Sequence, residues 1–292
     1  MSTPLIEHGT VRSGAFTLRY SVEGTGAPAI VIGSAVYYPR TFSANLRRQL
    51  RLVFVDHRGF ALPAGDVDAS EYALDVILDD IERVRAQLGL DRVIIVGHSG
   101  HGYMALEYAK KYPQRVSHVV MIATGPSHDS GHAQLTEQHW QNAVCPERKA
   151  RLERDLALLP AELEAAPDRR FITFCIRMGA RSWYDPTFDA TPLWDGVQVN
   201  MPAIDHLWGE AFRDLDVTRG LDTLDRPVLL CAGRHDYLVA PFYAWEPYRR
   251  QFRDLTLRVF ERSSHTPQLE ESVLFDAELS SWLASRPVAS AG

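Results

Sequence analysis

Six short apolar runs, rich in β-branched residues, recur along the chain and are separated by stretches of helical periodicity. They cover residues 29–33, 52–56, 92–97, 119–123, 227–233 and 255–260. Short strands that alternate with helices form a parallel sheet with helices on its faces. Two earlier segments, 7–12 and 15–22, are typical of an opening β-hairpin. The sequence therefore predicts an α/β fold with a mostly parallel sheet flanked by helices.

The regular alternation stops after the sixth predicted strand, which covers residues 119–123. Residues 127–217 are helical and charged near 147–155 and rich in Trp, Tyr, Pro and Asp further on. A structureless loop of this length is implausible in a compact domain. We therefore expect residues 127–217 to form a helical lid, inserted after the sixth strand, over a core domain made of residues 1–126 and 218–292.

Charge and the absence of targeting signals restrict the possible partners. The 292-residue chain has a formal net charge of −6 and no long run of Lys or Arg, which argues against nucleic acid or an anionic membrane as the main partner. Its N-terminal sequence has neither the basic start nor the apolar stretch of a secretory signal, and no apolar run approaches membrane-spanning length. We expect a cytoplasmic monomer or homodimer that acts on a small molecule.

The strongest chemical signal is the segment RVIIVGHSGHG, residues 92–102, in which an apolar strand runs through small residues into a helical pattern. A sharp strand-to-helix turn presents the Ser99 hydroxyl above the sheet edge and requires small neighbours. It also places the N–H of Gly100 at a helix N-terminus, where it can stabilise an oxyanion. The pattern predicts a nucleophilic Ser99; a plain structural turn is the alternative.

Two further residues follow predicted strands, at the sheet edge where active sites of parallel sheets gather. Asp236 comes after the strand 227–233, and His265 lies in a Ser-Ser-His-Thr-Pro loop after the last strand. The alternative for Asp236 is a helix-capping role. The alternative for His265 is an ordinary surface histidine.

The Ser99 turn, together with VFVDHRGFALP (53–63), GRHDYLVAP (233–241) and FERSSHTPQLEE (260–271), resembles the α/β-hydrolase superfamily, and closely its proline-iminopeptidase-like branch. The likeness covers most of the chain except the lid. It implies that Ser99 is the nucleophile, Asp236 the acid and His265 the base, in the chain order of this fold, and that no metal or organic cofactor is needed. Asp129 is the alternative acid, because some members carry the acid after the earlier strand.

The chain departs from the family pattern at two places. Position 101 is His where the family usually has Gly, and we expect His101 either to pack structurally or to point into the substrate site. In the oxyanion loop, Ile32 replaces the usual His of a His-Gly pair, and the backbone N–H of Ser34 is the expected second oxyanion donor. Tyr37 and Tyr38 follow and form either a pocket wall or core.

A metal site is a weaker hypothesis. His128 and His132 have the i, i+4 spacing of helical metal ligands, but Gly131 between them and Pro126 before them oppose a helix there. We therefore expect no metal site.

The triad predicts acyl transfer on a small carboxylic ester or lactone, with water releasing the acyl group. Trp183 and Trp208 are expected to line an apolar pocket under the lid. Three alternatives stay open: an aminopeptidase that removes N-terminal proline, a lyase or cofactor-free oxygenase on the same fold, and a ligand receptor with slow hydrolysis. The aminopeptidase needs acidic lid residues to bind an amine, for which Asp185, Asp205 and Glu210 are available.

Overall fold

A computed structural model of the protein describes residues 6–287 and is built around one eight-stranded sheet in the order β1-β2-β4-β3-β5-β6-β7-β8. The strands are β1 (Glu7–Ser13), β2 (Phe16–Glu23), β3 (Ala27–Gly33), β4 (Leu50–Asp56), β5 (Val93–His98), β6 (Val116–Ile122), β7 (Val228–Gly233) and β8 (Leu255–Phe260). The β1–β2 and β2–β4 pairs are antiparallel, and the remaining pairs are parallel. The predicted fold class is confirmed, including the opening hairpin.

The central strands are apolar along their whole length because both faces of the sheet are covered. In β3, Ile30 and Ile32 pack into one core cluster, whereas Ala29 and Val31 pack into a second cluster on the other face. All four side chains are fully buried. This two-sided burial explains why these strands have near-continuous apolar sequences rather than alternating ones.

Four helices flank the sheet: α1 (Leu74–Gln87), α2 (Gly100–Lys111), the short α9 (Pro267–Glu270) and α10 (Ser272–Ala284). Residues of α1 and α2 belong to the cluster that contains Ile30, and α10 contributes Phe275 and Leu279 to the opposite cluster. Helix α1 ends at Gln87, and Gly89 follows with a φ of +64°, a conformation typical of a glycine that stops a helix.

Between β6 and β7 the chain forms helices, in the position predicted for the lid. They are α3 (Ser130–Ala143), α4 (Pro146–Ala157), α5 (Leu159–Ala165), α6 (Arg170–Arg177), α7 (Gly179–Ser182) and α8 (Met201–His206), and α8 runs on into a π-helical turn at Leu207–Ala211. Hereafter, residues 127–217 are called the cap segment. The division into core and lid domains stays a prediction.

Helix α3 corrects one sequence argument. Gly131 lies in its first turn rather than preventing it, because Asp129 caps the helix by accepting a 2.9 Å hydrogen bond from the N–H of His132. A capping carboxylate offsets the low helix propensity of glycine at this position.

Within residues 6–287, no helix is long and apolar enough to cross a membrane. Residues 1–5, on which part of the signal-sequence argument rests, lie outside the described residues.

Candidate active site

Ser99 occupies a strained turn between β5 and α2. Its backbone has φ 57° and ψ −130°, a conformation that non-glycine residues rarely adopt. The turn is held by the Ser99 N–H, which donates to the Ile122 carbonyl at 2.8 Å, and by the Thr124 hydroxyl, which donates to the Ser99 carbonyl at 2.9 Å. The strained backbone is thus held by one main-chain and one side-chain contact from the end of β6 and the residues after it, as expected for a strand-to-helix turn of this kind.

The glycines on either side of Ser99 are required by close packing. A Cβ at Gly97 would lie 1.9 Å from the His101 carbonyl oxygen, and a Cβ at Gly102 would lie 2.0 Å from the Thr124 hydroxyl. The clash at Gly97 is with the backbone of α2, so α2 would have to move away from the sheet, and the clash at Gly102 is with the short Thr124 side chain, whose own Cβ would lie 2.9 Å away. Small residues at these two positions therefore permit the tight strand-to-helix turn that the sequence predicted.

Asp236 and His265 meet as predicted, although they come from different loops. Asp236 follows β7 and His265 follows β8, and the His265 Nδ1–H donates to Asp236 Oδ2 at 2.8 Å. The other carboxylate oxygen accepts the Leu238 N–H at 2.9 Å, which fixes the carboxylate plane. Both side chains are buried. This arrangement leaves Nε2 of His265 free of Asp236 and able to serve as a base.

Ser99 and His265 line the same cavity. Among the described residues, the hydrogen bonds do not include one from the Ser99 hydroxyl to His265. Catalytic hydrogen bonds are often long in structures without substrate and tighten when substrate binds.

Asp129, the alternative candidate acid, makes its contacts at α3 rather than with His265. It caps α3, and its side chain is about half exposed and contacts His132. The hydrogen bond from the His132 N–H lowers the pKa of Asp129 to about 2. The geometry brings Asp236, rather than Asp129, to His265.

The expected oxyanion donors differ in their surroundings. Gly100 begins α2, and its Cα faces the Trp208 and Phe212 rings so closely that a Cβ there would lie 2.8 Å from Trp208. Ser34 is fully buried at the end of β3, and its hydroxyl accepts the N–H of Tyr37 at 3.2 Å. The loop is also held by Asp56, which accepts the Ala35 N–H at 2.7 Å.

The cavity that contains Ser99 and His265 has a volume of about 300 Å³. Its wall includes the four residues predicted to bind substrate, namely Tyr37, His101, Trp183 and Trp208. It also includes Tyr38, which the sequence offered as either pocket wall or core. The sequence argument missed other aromatic residues that line it: Phe60, Phe171, Phe174 and Trp194. Much of the wall is therefore aromatic, and the cap segment supplies a large part of it.

Comparisons with known proteins identify the family. Residues 25–272 match the family model described as the alpha/beta hydrolase fold. The chain belongs to the α/β-hydrolase family. It is 44% identical over 275 residues to the AB hydrolase superfamily protein YclE of Bacillus subtilis, a match that covers 94% of this chain and 98% of the relative.

More distant likenesses point to the same family. The hydrolase is 25% identical over 246 residues to the proline iminopeptidase PfmaB of Pestalotiopsis fici, covering 80% of this chain and 81% of that protein. The crystal structure of the proline iminopeptidase of Mycobacterium smegmatis superimposes with a TM-score of 0.71 at 19% identity, covering 96% of this chain and 98% of that one. At this identity the likeness concerns the fold alone.

In this hydrolase, His101, one of the two departures from the family pattern, belongs to a hydrogen-bonded cluster that includes Tyr38 of the oxyanion loop. The Tyr38 hydroxyl lies 2.8 Å from His101 Nδ1 and 3.1 Å from His98 Nδ1, and His101 Nε2 lies 2.9 Å from His57 Nε2. All four side chains are buried. His101 thus lines the cavity and is also held at both ring nitrogens. The sequence offered it as either structural or site-facing, and it is both.

Burial keeps the three histidines of the cluster neutral. It lowers the pKa of His57 to about 3, and together with the neighbouring His265 it lowers the pKa of His98 to about 3. Burial and the two neighbouring histidines hold the pKa of His101 well below its usual value. Desolvation disfavours the charged form of an imidazole.

The cap segment of this hydrolase is tied to the loops of Asp236 and His265 by main-chain hydrogen bonds. Glu270 adds a side-chain bridge, since its carboxylate accepts the N–H groups of Ser264, Thr266 and Tyr184. Two of these donors flank His265, and the third lies in the cap segment. Burial raises the pKa of Glu270, while the three N–H donors act in the opposite direction.

His128 and His132 occupy different surroundings. His128 precedes α3 and packs against Tyr103, whereas His132 lies in α3 and bonds to Asp129. In the part of the chain that the structure describes, no group of three or more His, Cys, Asp or Glu residues is arranged to hold a metal ion.

Proposed function

We propose that this hydrolase cleaves small, uncharged carboxylic esters, including lactones, through a Ser99, His265 and Asp236 triad. One observation carries the proposal. The cavity that contains Ser99 and His265 is walled by aromatic, aliphatic and neutral polar side chains, and among residues 6–287 no Asp, Glu, Lys or Arg lines it.

In the proposed mechanism, His265 Nε2 takes the proton from the Ser99 hydroxyl while the oxygen attacks the ester carbonyl. Collapse of the tetrahedral intermediate transfers that proton to the leaving alcohol and leaves an acyl group on Ser99. Water, deprotonated by the same imidazole, then releases the acid and returns the proton to Ser99. Asp236 holds the imidazole by its Nδ1–H and stabilises the imidazolium that forms.

The proposed oxyanion donors are the backbone N–H groups of Gly100 and Ser34. Gly100 begins α2, whose N-terminus carries partial positive charge that favours an oxyanion. Ser34 lies at the end of β3, in a loop braced by the Asp56 carboxylate. Backbone donors held in this way are oriented before the reaction begins.

The uncharged wall restricts the substrate. An ionised ammonium or carboxylate that entered this cavity would lose its hydration without gaining an oppositely charged partner, at an effective cost of several kcal/mol. A neutral, apolar or aromatic ester avoids that penalty and gains contact with the aromatic wall. The volume of about 300 Å³ lies at the lower end of the range for ligand pockets, which favours a small substrate.

The same argument disfavours the aminopeptidase alternative, which needs an acidic group for the substrate amine. None of the three candidate acids lines the cavity. Asp205 pairs with Arg170, Glu210 pairs with His206, and Asp185 accepts hydrogen bonds from Thr187.

A substrate panel tests the proposal. It comprises p-nitrophenyl acetate, butyrate and benzoate, a neutral γ-lactone, the hemisuccinate ester as a charged control, and prolyl p-nitroanilide. We expect turnover of at least one neutral ester or lactone, with a kcat/KM more than about a hundredfold above that of the hemisuccinate, since about 1.4 kcal/mol corresponds to tenfold. Preferred turnover of the prolyl anilide would support the aminopeptidase, and no hydrolysis of any compound would leave the lyase, oxygenase or receptor alternatives.

A further inference from the structure

We propose that His57, His101, Tyr38 and His98 form a one-directional hydrogen-bond chain whose role is to position His265 and the oxyanion loop. We call these four residues the buried chain. The inference deepens the proposed function and rests on it, because it concerns residues that act through His265 rather than on the substrate.

The direction in which hydrogen bonds are donated along the buried chain is fixed at its first residue, His57. The backbone N–H of Gly59 lies 2.9 Å from His57 Nδ1. An amide N–H only donates, so this nitrogen is the acceptor and carries no proton. Since the buried ring is neutral, its proton is on Nε2, and that N–H points at His101 Nε2, 2.9 Å away.

The other end fixes the direction independently. His98 Nε2 lies 2.7 Å from the backbone carbonyl of His265. A carbonyl only accepts, so His98 Nε2 carries the proton and His98 Nδ1 is an acceptor. The Tyr38 hydroxyl, 3.1 Å from that Nδ1, must therefore donate its proton there.

A third main-chain contact determines the middle. His101 Nδ1 lies 3.1 Å from the His98 carbonyl and 2.8 Å from the Tyr38 hydroxyl. The carbonyl again requires a donor, so His101 carries its proton on Nδ1 and donates to both oxygens. Its Nε2 is then free to accept from His57. These three main-chain groups, the Gly59 N–H and the His98 and His265 carbonyls, are together consistent with one arrangement of protons, in which no donor faces another donor.

This chain connects the loops that carry the proposed chemistry. His98 and His101 stand on either side of Ser99, and the chain ends on the His265 carbonyl. Tyr38 lies in the oxyanion loop, where its backbone N–H donates to the Ser34 carbonyl at 3.1 Å. Nucleophile, base and oxyanion donor are therefore held relative to one another by one polar network inside the protein.

The positioning role predicts a specific kinetic effect of Tyr38→Phe. The variant keeps the ring that packs over Gly33 and beside Tyr37, but removes the oxygen in the middle of the chain. A misplacement of about 1 Å in a catalytic group can cost about a hundredfold in rate. We expect kcat on the preferred ester to fall about tenfold to a hundredfold, with KM within about twofold of the wild type. Unchanged kcat would overturn the positioning role.

Histidine tautomers give a readout that does not depend on turnover. With ¹⁵N-labelled histidine in the wild-type protein at pH 7, we expect His57 and His98 as Nε2–H tautomers and His101 as the Nδ1–H tautomer. In the spectrum of the Tyr38→Phe variant, His98 and His101 should no longer show these single tautomers. The control Tyr37→Phe, which changes a neighbouring hydroxyl outside the chain, should retain it. A proton on Nε2 of His101 in the wild type would refute the stated direction.

The two proposals fail separately. A wild-type protein that shows the stated tautomers but hydrolyses no ester removes the proposed function. An active wild type whose Tyr38→Phe variant is equally active removes the positioning role and leaves the ester hydrolase in place.

Discussion

The backbone N–H of His265 donates a 2.9 Å hydrogen bond to the carbonyl oxygen of Ser182. At the same end of α7, the Arg181 carbonyl accepts the N–H of Tyr237 at 3.3 Å and the hydroxyl of Ser264 at 3.1 Å. The cap segment thus contacts the loops that carry both His265 and Asp236. Movement of α7 would displace these loops, so we expect this end of the cap segment to stay fixed during turnover.

Glu270→Gln tests this coupling. Glutamine supplies only one acceptor oxygen, and its NH₂ would face N–H donors that now bond to the carboxylate. A buried N–H left without a partner costs about 1–3 kcal/mol, so we expect a lower Tm and a kcat reduced by about tenfold. Glu261→Gln is the control, because Glu261 is exposed and pairs only with Arg234 at the surface. Similar kinetics for the two variants would argue against a positioning role for Glu270.

Ser99→Ala should abolish ester hydrolysis while the protein remains folded. Members of a triad act as a unit, and removal of the nucleophile typically costs on the order of 10⁴ to 10⁶ in kcat. A fluorophosphonate probe should label the wild type once, at Ser99, and should not label the variant. Ser127→Ala, at a half-buried position before α3, should be labelled like the wild type. Labelling that survives in Ser99→Ala would assign the nucleophile elsewhere.

Asp236→Asn should reduce kcat by about 10⁴ at pH 7, because an amide in place of the carboxylate favours the wrong imidazole tautomer. Asp129→Asn should retain activity within about twofold, since Asn is also a good N-cap and Asp129 contacts only the start of α3. Steady-state kinetics of the two variants on one ester decide whether Asp236 or Asp129 is the acid. The reverse outcome would place the acid after β6.

Trp208→Ala should change specificity more than it changes activity on acetate esters. The indole packs against His101 and Phe171, and its removal opens space beside Gly100. We expect the kcat/KM ratio of bulky to acetyl esters to rise by about tenfold, a size typical of pocket changes. The same test applies to Trp183→Ala.

Trp140→Ala is the matched control for this test, because Trp140 is a buried tryptophan of the cap segment that packs on Tyr237 and does not line the cavity. The Trp140→Ala substitution should lower Tm and leave the kcat/KM ratio of bulky to acetyl esters unchanged. The same behaviour in both Trp208→Ala and Trp183→Ala would mean that these side chains serve packing alone.

The neutral histidines predict a pH dependence of stability. Because the pKa of His57 falls from 6.5 to about 3 on folding, the unfolded chain binds a proton between these pH values that the folded protein does not. The unfolding free energy therefore decreases as pH falls through this window, by up to about 1.4 kcal/mol per pH unit for each such histidine.

His57→Gln should accordingly show a shallower slope of unfolding free energy against pH, measured by urea unfolding between pH 4 and 6.5. The comparison of the two proteins cancels other groups, including Asp56, whose pKa burial raises to about 6 and which therefore acts in the opposite direction. Equal slopes would show that His57 is protonated in the folded protein.

The sheet was predictable because fully buried parallel strands have a distinctive composition. Runs such as 29–33 and 227–233 are apolar on both faces, and no polar residue interrupts them. The positions of Ser99, Asp236 and His265 at one edge of the sheet were predictable because each lies shortly after the carboxyl end of a predicted strand.

The buried chain could not be found in the same way. Tyr38 and His98 are 60 residues apart and share no periodic pattern. Only their three-dimensional placement shows that these residues are partners. The signal available in the sequence was His101 itself, a polar side chain two positions after Ser99 where the family usually has glycine.

The cavity wall was only partly predictable for a related reason. The sequence predicts that Trp183 and Trp208 of the lid line the cavity, but Phe171 and Trp194 line it as well. Periodicity states which face of a helix is apolar. It does not state how the short cap helices turn relative to the sheet, so it cannot separate cavity-lining residues from the interior of the cap segment.

The imidazole of His101 accepts a hydrogen bond from His57 and donates one to Tyr38. His57 and Tyr38 therefore both depend on His101 for a hydrogen-bond partner. A glycine at position 101 would leave a buried N–H on His57 and a buried phenolic oxygen on Tyr38 without that partner, at a cost of about 1–3 kcal/mol each. We therefore expect residues 38, 57 and 101 to change together among relatives of this protein, because a change at position 101 alone leaves buried polar atoms of the other two without a partner.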